Sequence, residues 1–70
     1  MITTIETTKG TFHLYYKYVI NRHKVDTFNE DLEMSKVTSI KRRLRSYNVH
    51  FENGLTFKIP NHQVIKTIIL

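Results

Sequence analysis

The chain has no cysteine, no alanine and no tryptophan, and only two glycines and one proline in 70 residues. Without cysteine there is no disulfide framework, no thiolate metal cluster and no cysteine nucleophile, which removes the usual supports of a small secreted scaffold. A reducing, cytoplasmic setting is expected. The scarcity of glycine and proline leaves no flexible or proline-rich linker, and no internal repeat or low-complexity run divides the sequence, so residues 1–70 read as one domain. No apolar stretch approaches the roughly 20 residues of a membrane span. Residues 1–10 alternate Ile, Thr and charge, with none of the continuous apolar run of a signal peptide. A domain of about 60 residues buries only about 60% of the surface its unfolded chain exposes, so marginal stability, supplemented by a partner or ligand, is expected.

In place of alanine the chain carries 22 Ile, Val and Thr residues, whose stiff β-branched side chains suit a pleated surface. Ile, Lys, Asn and Tyr in place of Ala and Gly also fit AT-rich coding, as in phage and other mobile elements of low-GC bacteria. Eleven Lys and Arg against six Asp and Glu give a net charge of +5. That balance favours anionic partners but says nothing about fold.

Two hairpins frame the chain. A two-residue turn at Lys9 and Gly10 would set Glu6 opposite His13 and Ile5 opposite Leu14, with Ile5, Phe12, Leu14, Tyr16 and Tyr18 on one face of a strand over 11–20. Near the end, Asn53 and Gly54 resemble a two-residue turn, but that register puts Phe51 opposite Thr56. A three-residue loop of Glu52, Asn53 and Gly54 pairs Val49 with Phe57 instead and keeps the large apolar groups together, with Gly54 at positive φ. Between the hairpins, Val37, Ile40, Leu44 and Tyr47 follow 3, 4, 3 spacing and predict a helix over 35–47 capped by Ser35. Residues 23–34 read as extended or irregular, the alternative being an earlier helix start marked by the Thr27 and Glu30 capping-box spacing. After Pro60, a short turn leads into a last strand over 64–70 that is apolar on both faces and so needs cover, a central place or a partner.

The expected fold is therefore α+β: an antiparallel sheet of about five strands in the order strand, strand, helix, strand, strand, strand, with the helix packed on it. Residues 49–70 resemble in outline the last hairpin and closing strand of small SH3-like barrels, which implies, as the alternative, a partly closed barrel with an inserted helix. The resemblance implies no activity.

The chemistry candidates are few. Lys41, Arg42, Arg43 and Arg45 wrap the exposed half of the predicted helix, either complementing its dipole or contacting phosphates, for which arginine offers a planar donor fork. His13, Tyr15 and Lys17 alternate on the outward face of the second strand, where they would form a stacking platform for unpaired bases or simply a packed surface. The four histidines, His13, His23, His50 and His62, show no metal-ligand spacing, so no metal or other cofactor is expected. Ser35, Ser39 and Ser46 lack a neighbouring His and Asp pattern, and catalysis, including that of a metal-independent ribonuclease, has the least support. Two functions remain: a small, non-catalytic nucleic-acid-binding accessory protein, or a protein-binding regulator or inhibitor acting through an apolar or strand-addition interface. Val64, Ile65, Ile68, Ile69 and Leu70 are the candidate interface in the second case, and also for a homodimer.

Overall fold

The computed structural model describes residues 1–20 and 35–70, with Val19 and Ile20 described by their backbone alone. The expectation for residues 23–34 lies outside the described residues. β1 (Ile2–Thr7) and β2 (Gly10–His13) form the first hairpin, with Ile5 opposite Phe12, Glu6 opposite Thr11 and Thr4 opposite His13. The turn is thus Thr8 and Lys9, not Lys9 and Gly10, and Glu6 does not face His13. Thr7 decides this. Its hydroxyl donates to the Gly10 carbonyl at 2.8 Å and accepts the Lys9 amide at 3.1 Å, while Gly10, at φ 136°, supplies a backbone that other residues rarely adopt. The partner numbers move by two relative to the predicted register, so parity is kept, and Ile5, Phe12 and Leu14 still share the core side.

The single strand predicted over 11–20 is instead broken. Leu14 makes one parallel bridge to Val37 and Tyr15 turns to φ 69°. The chain then reverses, so that β3 (Val19–Ile20) runs antiparallel to β2. Tyr16 consequently leaves the predicted face and is exposed, while Tyr18 stays buried.

The predicted helix over 35–47 does not exist. Residues 37–60 form a three-stranded antiparallel meander of β4 (Val37–Arg42), β5 (Ser46–Phe51) and β6 (Thr56–Pro60), and among the described residues there is no α-helix. The chain is a small β domain, which overturns both the α+β expectation and the barrel with an inserted helix. The cause is a register shift between Val37 and Ser39, where Val37 faces Phe51 but Ser39 faces His50. One extra residue in a strand turns the side-chain period of two into a step of three, so Val37 and Ile40 reach the same buried side at helical spacing. Leu44 then falls in the hairpin tip, and Tyr47 returns on β5 opposite Arg42. Ser35 caps nothing: it is buried, and its hydroxyl accepts the Asn53 amide at 3.2 Å.

The β5–β6 hairpin has the three-residue loop expected from side-chain matching. Val49 faces Phe57, the Phe51 amide donates to the Leu55 carbonyl at 2.8 Å, and Gly54 sits at φ 90°. A 3-10 turn (Asn61–Gln63) leads to β7 (Val64–Ile69), which pairs antiparallel with β1 at the edge of a four-stranded sheet ordered β3, β2, β1, β7. The two sheets enclose one core of Ile5, Phe12, Leu14, Tyr18, Val37, Ile40, Val49, Phe51 and Ile59. Phe12 is its centre, stacked on Tyr18 at 4.1 Å between ring centroids and meeting Phe51 edge-on at 6.0 Å.

Candidate nucleic-acid interface

Strand alternation sorts the meander into an apolar inner face and a polar outer one. Val49, Phe51, Phe57 and Ile59 point inward, and the outer face carries the rows Lys41, Asn48, Lys58 and Ser39, His50, Thr56, each in cross-strand register. His50 is held there by a 2.9 Å contact between its Nδ1 and the Thr56 hydroxyl. No Asp or Glu occurs in β4, β5, β6 or the tip between β4 and β5.

The four cations predicted to wrap a helix lie instead along one β-hairpin arm. Lys41 and Arg42 end β4, and the Arg43 amide donates to the Ser46 carbonyl at 2.7 Å, which leaves Leu44 and Arg45 as the tip. All four are exposed, and none forms an ion pair with a carboxylate among the described residues. The arm is tied down from behind, because the Asn61 amide donates to the Arg45 carbonyl at 3.2 Å. A macrodipole role is excluded along with the helix. The chain as a whole sets eleven Lys and Arg against six Asp and Glu, a net of +5.

His13, Tyr15 and Lys17 do not form the expected common platform. His13 Nδ1 lies 3.1 Å from the Thr4 hydroxyl and its ring meets Tyr16 edge-on, while the Lys17 backbone makes an isolated antiparallel β-bridge to that of Lys36. Tyr15, turned by its positive φ, joins Lys41 instead in an open cleft of about 280 Å³ at the seam between the sheets, lined also by Met1, Ile2, Leu14, Ser39 and Ile40. Lys58 and the cleft were missed by sequence reasoning. Lys58 was within reach, since the Val49 and Phe57 register already puts it opposite Asn48, but the helix reading hid Lys41 on the far side.

The candidate interface on β7 divides. Val64 packs against the core, whereas Ile65, Ile68, Ile69 and Leu70 are exposed beside Met1. A register shift between Glu6 and Thr7 leaves Ile65 and Lys66 outward together. Among the described residues no group of three or more His, Cys, Asp and Glu side chains is placed to hold a metal ion, and no helix is long and apolar enough to cross a membrane. Comparison with protein-family models, curated proteins and solved structures finds no match.

Proposed function

We propose that the protein binds nucleic acid through phosphate contacts, as a small accessory module in the cytoplasm. The observation that carries this reading is the set of exposed cations on one hairpin arm, none paired with a carboxylate among the described residues: Lys41, Arg42, Arg43 and Arg45, with Lys58 in the same cross-strand row as Lys41, across Asn48. Unpaired arginines on a β-ribbon meet phosphate with little reorganisation, and the affinity they give is salt-dependent because condensed counterions are released. The test is titration of labelled DNA and RNA at several salt concentrations. Binding that weakens linearly on a log-log plot supports the reading, and Arg43→Glu with Arg45→Glu should cut the slope on duplex DNA by about 1.8, two contacts at about 0.9 each. Negligible binding at low salt, or indifference to salt, refutes it.

A second reading rests on a different surface. Met1, Ile65, Ile68, Ile69 and Leu70 are exposed apolar residues on or next to an edge strand, and edge strands accept further strands. Its occupant would be a second copy of the chain or another protein that it regulates or inhibits. Sedimentation that shows a dimer, lost in Ile68→Lys, supports self-association; a monomer at all concentrations removes it.

A further inference from the structure

Three of the four tyrosines have packing roles. Tyr18 stacks on Phe12, Tyr16 meets the His13 ring, and Tyr47 packs against the core. Among the described residues Tyr15 has no ring partner, and it is 67% exposed, yet its backbone is held in an unusual conformation. It is the one non-glycine residue at positive φ among those described, a conformation disfavoured for an aromatic residue. Hydrogen bonds hold it there from both sides. The Leu14 amide donates to Thr3 at 2.8 Å, the Tyr15 amide to Val37 at 2.7 Å, and the Val37 amide to Tyr16 at 2.9 Å. The fold thus fixes the backbone that carries a ring it does not use for packing.

That ring stands at the seam cleft. Its walls are apolar, from Ile2, Leu14 and Ile40, with the half-buried Ser39 as a polar group and Lys41 as the cation that leads onto the basic arm. A volume of about 280 Å³ lies just below the usual lower limit of about 300 Å³ for small-molecule pockets and suits one planar base rather than a large cofactor. We propose that the cleft seats an unpaired nucleobase stacked on Tyr15, with Lys41 at its phosphate, so that the preferred ligand is single-stranded nucleic acid. The inference rests on the nucleic-acid reading above and adds strandedness to it. An aromatic face beside a cationic track is what sequence-tolerant single-strand binding requires, and a paired base cannot enter such a cleft.

The test compares a labelled DNA single strand of about 12 nucleotides with its duplex, using the full chain, Tyr15→Gly and Tyr15→Phe. Glycine adopts positive φ freely, so Tyr15→Gly removes the ring without loading the backbone. Tyr15→Phe keeps the stacking face. The expected result is that Tyr15→Gly weakens single-strand binding by roughly 5- to 150-fold, the range of one lost base stack. Duplex affinity and the salt slope should not change, and Tyr15→Phe should behave as wild type. An iodouracil-containing strand should cross-link at Tyr15. If Tyr15→Gly binds the single strand as wild type does, or loses single strand and duplex equally, the base site is refuted while salt-dependent binding by the arm stands. If the wild-type chain binds neither oligonucleotide at low salt, the nucleic-acid reading falls and this inference with it.

Discussion

The β4–β5–β6 meander and the β1–β7 pair meet the same core but turn different chemistry to solvent. Inward, Val49, Phe51 and Ile59 from one and Ile5 and Val64 from the other pack together around Phe12. Toward solvent, the meander exposes Lys41, Lys58 and, just past the end of β4, Arg43, whereas β7 exposes Ile65, Ile68 and Ile69 with one lysine between them. Alternation constrains only the inward positions, so the outward ones are free to differ, and it is there that function can be read. The exposed apolar residues of β7 and the acid-free outer face of the meander are two surfaces of different chemistry.

The two halves depend most on the residue they share. Phe12 is fully buried and touches Tyr18, Phe51 and Phe57, so it joins both sheets. Phe12→Ala should cost about 3–5 kcal/mol, enough to unfold much of a domain this small, and both surfaces should be lost together in thermal melts and binding assays. Loss of one surface with the other intact would mean that the halves fold separately.

Next in size are changes that separate the two surfaces. Arg43→Glu with Arg45→Glu should weaken oligonucleotide binding at least tenfold at low salt, by about the loss of two phosphate contacts, and leave the melting temperature and any self-association unchanged. Ile69→Lys should do the reverse. If either variant moves both readouts, the two faces are one interface.

Gly54 gives a smaller, purely conformational effect. It sits at φ 90° with open space around the position a Cβ would occupy. Gly54→Ala should therefore cost only the backbone term, about 1–2 kcal/mol, measured by denaturant unfolding. Binding at the basic arm should not change, because that arm lies at the opposite end of β5.

How much of this was legible follows from where period two was obeyed. β5 and β6 alternate without interruption, so matching Val49 with Phe57 located the loop and its positive-φ glycine from the residues alone. In the first hairpin the turn differs from the expected one, yet Ile5, Phe12, Leu14 and Tyr18 keep the expected core side while Tyr16 does not, since a shift of two residues preserves parity only as far as the strand runs unbroken. β4 failed because its bulge converts Val37 and Ile40 to helical spacing, and Leu44 and Tyr47 happen to continue the series through a hairpin tip. The site inherited that error. Lys41 and Tyr15 were each identified as candidates, but they could not be brought together while one was placed on a helix and the other on an unbroken strand. Nothing local in the sequence marks Tyr15 for positive φ, which goes with the hydrogen bond its amide donates to the Val37 carbonyl on another element.

The smallest expected effect discriminates best between the two readings of that segment. In a helix, Val37, Ile40, Leu44 and Tyr47 would form one buried stripe, and truncating Leu44 would cost about as much as truncating Ile40. On the hairpin, Leu44 is 91% exposed at the tip while Ile40 is buried against the core. Leu44→Ala should then change stability by no more than about 0.5 kcal/mol, and Ile40→Ala by about 2–5 kcal/mol. Denaturant unfolding of the two variants measures the ratio directly. Near-equal losses would restore the helix and remove the basic arm, because the arm exists only if the chain turns between Arg43 and Ser46.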